Sequence, residues 1–235
     1  MTCLISPRGA EAEWPLLLRE MLNAEYVRQR EVGHCYAGEV FKDRDGDYPH
    51  TAVVPEKKAV KDLYHACRLN SGRVFRIGKD PCWLLGYEWP NQGGDKEKLQ
   101  RADLVGLNGA GGLVVFECKL ENRYGPLAAV LEGLDYLSCL TSVPNFAKVV
   151  EGFRRWISKP GFVRPEEFGS VTPSRESHHE VIVLASADYY SQYRTSKRGE
   201  GWEKLAALPS SSSAGLSIRF AESDFASPQG RWVTG

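Results

Sequence analysis

Two carboxylates and a lysine stand where neighbouring residues are almost all apolar. Arg101-Ala102-Asp103-Leu104-Val105-Gly106 is followed, after a glycine-rich turn, by Leu113-Val114-Val115-Phe116-Glu117-Cys118-Lys119-Leu120. Residues two apart in a strand share a face, so Glu117 and Lys119 point one way and Cys118 the other. A three-residue loop, Gly109-Ala110-Gly111, would set Asn108 opposite Gly112 and Asp103 opposite Glu117. Partners across a strand pair lie about 5 Å apart, a workable spacing for two carboxylates sharing a hard, oxygen-seeking cation. A two-residue turn would shift the register and turn Asp103 to the wrong face unless a bulge compensated. Charges in such a strand are costly unless paired or metal-bound, so the alternative is a buried Glu117–Lys119 ion pair.

The elements that must position this set follow from periodicity. Apolar residues recur at helical spacing in Glu11–Arg30, then a Gly-, Asp- and Pro-rich stretch, Val32–Val54, reads as a hairpin or irregular excursion. A helix is expected over Pro55–Leu69, and strands over Arg73–Ile77, Trp83–Trp89, Ala102–Leu107 and Leu113–Leu120. Helices over Pro126–Leu140 and Asn145–Ile157 follow, then a loop over Ser158–Ser177. A buried strand over His178–Ala187, a polar helix over Ser191–Leu208 and a last strand over Leu216–Phe220 complete the chain. This order gives an α/β fold with a mixed sheet. It reads as one domain of 235 residues, with 1–72 as helices and a hairpin completing a core at 73–235.

Composition narrows the classes. With 42% hydrophobic and 26% charged residues the chain is an ordinary globular protein, and its apolar runs are far shorter than a membrane span. The first residues lack the pattern of a secretory signal, so the cytoplasm is expected. Six cysteines without a close pair argue against zinc knuckles and disulfide frameworks, and read as reduced and buried. Lys+Arg and Asp+Glu balance at 30 each, so nucleic-acid binding would need local patches.

An aspartate opening one strand, a hydrophobic strand ending in Glu-x-Lys and then a helix resemble the PD-(D/E)XK nuclease superfamily, directly over about residues 73–140. The resemblance implies a restriction-endonuclease-like αβββαβ core with a mixed central sheet flanked by helices. It implies Mg²⁺ or Mn²⁺ held by Asp103, Glu117 and the backbone carbonyl of Cys118, with Lys119 orienting or activating the attacking water. Ala102 replaces the proline that names the motif. Glu132 and Tyr136, at i and i+4, stand where one branch carries Gln-x-x-x-Tyr. A further acid is expected from Glu20, Glu25, Glu56 or Glu88, with Glu88 preferred.

The expected activity is metal-dependent hydrolysis of phosphodiester bonds in DNA, with RNA left open, in prokaryotic genome defence or maintenance. The alternative is a silent nucleic-acid-binding or protein-interaction module of the same fold, with a homodimer or a larger defence or repair complex as its setting. Arg154 and Arg155 beside Lys159, and Arg194, Lys197 and Arg198 near Tyr189, Tyr190 and Tyr193, are candidate phosphate contacts with tyrosines for base stacking. Asp43–Asp47 lacks the glycine and glutamate positions of a calcium loop, and the glycines at 106–112 lie between strands, not before a helix. His178 and His179 have no third ligand at metal spacing and read as structural or exposed.

Overall fold

The computed structural model describes residues 55–91, 100–120, 125–195 and 215–233. The helix expected at Glu11–Arg30, the excursion at Val32–Val54, and Glu20 and Glu25 lie outside the described residues, as do Lys197 and Arg198.

Helix α1 (Pro55–Ser71) begins on a proline whose missing N–H costs nothing at a first turn. Glu56 in that turn and Arg68 in the last suit the helix dipole. It ends at Gly72, whose φ of 61° is open to glycine. Strands β1 (Val74–Ile77) and β2 (Asp80–Asn91) form a hairpin turned at Gly78, and β2 is bulged between Leu84 and Gly86 as it pairs with β3 (Gln100–Leu107). Strand β4 (Leu113–Lys119) is antiparallel to β3. Helices α2 (Pro126–Thr141) and α3 (Val143–Ile157) carry the chain over to β5 (His179–Ala185), parallel to β4. A short helix α4 (Ala187–Thr195) leads towards β6 (Leu216–Glu222), parallel to β5.

The last strand decides the architecture. Strand β7 (Gln229–Trp232) pairs antiparallel with β6 and parallel with β1, closing a seven-stranded mixed barrel. The expected restriction-endonuclease-like αβββαβ core, an open mixed sheet flanked by helices, is thereby corrected. Its two outer strands are bridged, and few helices accompany the wall. Gly230 makes the seam possible: a Cβ there would stand 2.9 Å from the Glu222 carbonyl oxygen and 3.0 Å from Phe75.

The inner strands alternate between two apolar layers. Val114, Phe116, Ile182 and Leu184 pack with Val60, Leu63 and Cys67 of α1. Val115, Val181 and Val183 face Val130, Leu137, Phe146 and Val149 of α2 and α3. Being covered on both faces, β4 and β5 read in sequence as unbroken apolar runs. The second layer centres on Trp83, fully buried among Phe153, Trp156, Phe162 and Phe168.

The four cysteines of the described residues are free and buried. No helix among these residues is long and apolar enough to cross a membrane.

Candidate active site

Asn108 fixes the hairpin that brings the acids together. Its Oδ1 accepts the N–H groups of Ala110 (3.1 Å) and Gly112 (2.9 Å), and its Nδ2 donates to the His178 carbonyl (2.9 Å) and to Glu180 (3.0 Å). The backbone N–H of Asn108 closes the loop on the Gly112 carbonyl at 3.0 Å. The register then runs from Leu107 opposite Leu113 to Leu104 opposite Phe116. One further step sets Asp103 across from Glu117, the pairing that a three-residue loop requires. Regular pairing stops at this step, and the Cys118 N–H is taken up by Asp103 Oδ2 at 2.8 Å. Asp103 thus stands where the β3–β4 ladder ends.

Glu117 and Lys119 project to the α2 side and are 4% and 6% exposed. The Lys119 ammonium donates to Glu117 Oε1 at 2.7 Å and to Glu132 Oε2 of α2 at 3.2 Å. The other Glu117 oxygen, Oε2, is buried without a hydrogen-bond partner among the described residues. Buried polar atoms are rarely left so, and a half-satisfied buried carboxylate is expensive.

Burial pushes the Glu117 carboxyl well above the carboxylate range; Asp103 adds to the rise and Lys119 opposes it. Burial also raises Asp103, to about 7, against the pull of Lys119 and the Cys118 N–H and with the help of Glu56 and Glu132. For Lys119, burial acts downwards but Glu117 and Glu132 outweigh it, so the ammonium stays charged. Tyr136 is raised by burial and by Glu117 and Glu132, which keeps its phenol protonated. Both acids are therefore pushed towards their protonated forms, and Tyr136 and Lys119 remain donors.

A further acid reaches the site from α1. Glu56 Oε2 accepts the Leu120 N–H at 3.4 Å, at the end of β4, and its charge acts on Asp103 and Cys118. Glu88, the acid preferred from sequence, falls between the pairs Tyr87–Leu104 and Trp89–Ala102, at the level of Asp103 on β3, and its carboxylate pairs with Arg101 at 3.2 Å and with Lys57 at 3.8 Å. Its φ of 44° departs from the alternation of a regular strand. The signal for Glu56 was its place in the first turn of the helix that opens at Pro55.

Helix α2 sits close because Gly133 lets it. A Cβ at Gly133 would meet Val181 Cγ1 of β5 at 2.5 Å. Gly133→Val should therefore lift α2, loosen the Glu132–Lys119 contact and cost about 1–3 kcal/mol. Thermal unfolding checks this, and Val181→Ala in the same chain should restore most of the loss. Additive losses would mean that α2 does not bear on β5 at this point.

The remaining residues picked from sequence do not converge here. Arg154 and Arg155 lie exposed in the last turn of α3, Arg155 paired with Glu151 at 3.4 Å. Arg194 lies on α4. Tyr189 and Tyr190 are core residues and offer no stacking face. His179 is structural: Nδ1 accepts the Leu113 N–H at 2.9 Å, so Nε2 donates to the Arg175 carbonyl at 3.0 Å.

Among the described residues no three His, Cys, Asp or Glu side chains are set as a ready-made metal cage. The donor set instead fits a cation that takes one or two carboxylates and completes its shell with water and substrate oxygens, as Mg²⁺ does. Compared with protein-family models, curated proteins and solved structures, the chain matches none.

Proposed function

We propose that the chain is a divalent-metal-dependent nuclease that hydrolyses phosphodiester bonds of DNA, with Asp103, Glu117 and Lys119 as its reacting set. The observation that carries this reading is the buried Glu117 Oε2, partnerless beside Asp103 and Lys119 where the β3–β4 ladder ends. A purely structural Glu117–Lys119 pair has no use for an unsatisfied oxygen or for a second, half-buried acid. The likeness to PD-(D/E)XK nucleases is proposed for this motif alone, carried here on a closed barrel. Its proposed setting is the prokaryotic cytoplasm, in genome defence or maintenance.

Asp103 and Glu117, with the Cys118 carbonyl and Glu56 within reach of the same strand end, are the residues that would hold Mg²⁺ or Mn²⁺. A cation held there would polarise the phosphate and lower the pKa of water. Lys119, charged and held in place by Glu117 and Glu132, stabilises negative charge developing on the phosphate oxygens. The protonated Tyr136 phenol supplies a further neutral donor on the α2 side.

One observation favours a second reading, a silent binding module. Lys119 already contacts two carboxyl groups, as in a structural ion-pair network. Incubating wild type and Glu117→Gln with linear and circular, single- and double-stranded DNA and with RNA, in Mg²⁺, Mn²⁺ or EDTA, separates the two. Metal-dependent cleavage lost in the variant is the expected result. Absence of cleavage of every substrate, with binding unchanged by the substitution, would leave the binding module.

A further inference from the structure

The ammonium of Lys119 is held by two carboxyl groups of unlike character. Glu117 Oε1 lies 2.7 Å away on a side chain only 5% exposed, next to it on the same face of β4. Glu132 Oε2 reaches over from α2 at 3.2 Å, on a side chain that is 45% exposed. Among the described residues Lys119 is the only ion-pair partner of Glu132. A carboxylate at the edge of solvent is rehydrated as soon as it lets go, whereas parting a buried pair strands a charge away from water. Of the two contacts, the one to Glu132 is made to open.

A phosphate brought to Asp103 and Glu117 needs the same ammonium. Lys119 has three N–H donors and no acceptor, so it can keep one on Glu117 and turn another to an incoming oxyanion. Carboxylate and phosphate oxygens accept such a donor at the same distance, and one can take the place of the other.

We propose that Glu132 is a displaceable stand-in for substrate: in the free protein its carboxylate fills the seat on Lys119 that a phosphodiester oxygen takes when DNA binds. The seat rests on the nuclease reading for the identity of the substrate, while the exchange itself needs only a phosphodiester and Lys119. Gly133 fixes how the seat opens. It lets α2 sit against Val181 so closely that a Cβ would stand 2.5 Å from Val181 Cγ1, so the backbone beside Glu132 stays where it is. Glu132 therefore leaves by turning its own side chain outwards. Until it does, the ammonium is closed to weaker anions.

The test is binding without cleavage. A fluorescein-labelled 24-mer DNA, single- and double-stranded, is titrated in EDTA at 50 mM KCl and followed by anisotropy, with wild type, Glu132→Gln, Lys119→Met and the double variant. Glutamine keeps the shape and cannot carry the charge. A half-exposed ion pair is worth up to a factor of about five, so Glu132→Gln should bind about five-fold more tightly than wild type. In the Lys119→Met background the same substitution should change affinity by less than about two-fold, because no seat is left to clear. Glu151→Gln, which removes an exposed acid from α3, reports the effect of net charge alone and should also stay within about two-fold. Glu132→Ala repeats the measurement with no amide left to touch the ligand and should show the same gain. In Mg²⁺ the gain should appear as a KM lowered about five-fold with kcat little changed.

No tightening in either Glu132 variant, equal tightening with and without Lys119, an equal gain in Glu151→Gln, or no wild-type binding of either DNA would each overturn the seat. Tightening that needs Lys119, with no cleavage by wild type in any metal, would leave the seat standing and end the nuclease proposal. Wild-type cleavage that falls in Glu132→Gln without tighter binding would do the reverse and make Glu132 a positioning residue for the reaction.

Discussion

Lys119→Met should lower Mg²⁺-dependent cleavage by about 10²–10³-fold, the loss typical of removing one donor that stabilises charge in a transition state. Methionine keeps most of the stem's volume, so packing against α2 changes little. What disappears is the cation that faces Glu117 and Glu132. Breaking a buried pair commonly costs about 3–5 kcal/mol, but Glu117 is already driven towards its neutral form and has a way out. The variant should therefore melt close to wild type at pH 5 and well below it at pH 8. Lys119→Arg, which keeps the charge in a different shape, should recover stability more than cleavage. Cleavage that survives in the methionine variant would remove Lys119 from the reaction.

Asp103→Asn should flatten the pH dependence of stability in EDTA. Asp103 is raised from 3.8 to about 7 in the folded protein. Below about pH 4 both folded and unfolded chains hold this proton, and its contribution is complete. Between 4 and 7 the unfolded chain has released it and the folded one has not, so stability falls as pH rises. The fall ends above the folded value, and its size is on the order of 4 kcal/mol for a gap of this width. Asparagine cannot titrate, and its carbonyl oxygen can still accept the Cys118 N–H. The difference between the two melting curves should grow from pH 4 to 7, with the variant the more stable at pH 8. Added Mg²⁺ should raise wild type at pH 8 and leave the variant unmoved. A wild-type curve parallel to that of asparagine across this range would mean that Asp103 is an ordinary exposed carboxylate.

The grouping of Asp103, Glu117 and Lys119 was legible because it is local. Asn108, the glycines after it and the apolar run on either side fix one register, and that register alone sets Asp103 beside Glu117. The i and i+4 spacing of Glu132 and Tyr136 likewise put both on one side of a helix. Glu88 stood out because it sits in an apolar strand, and nothing in Gly86-Tyr87-Glu88-Trp89 announces the positive φ with which Glu88 meets Arg101 and Lys57. Basic residues were read as runs, Arg154 with Arg155 and Arg194 with Lys197. The structure instead sets Arg68 and Arg73 around one groove with Lys159 and Arg164, across some ninety residues. The closure was the least visible feature. Gln229-Gly230-Arg231-Trp232 has neither length nor alternation, and its partner β1 lies about 150 residues earlier in the chain.

That closure is a narrow one. Strand β7 meets β1 over two residue pairs and β6 over two, whereas β5 and β6 share seven. Trp232 supplies much of what else holds it: its indole lies under Arg219 at 3.4 Å and donates to Asp80 at 3.0 Å, and Arg219 meets Asp80 at the same distance. The wall is thus a sheet fastened by a four-residue clasp. Undoing the clasp would leave the rest of the ladder intact and bare the backbone of β1 and β6 together. The same tail that hides two adhesive edges in the native protein would, once frayed, present both of them to another chain.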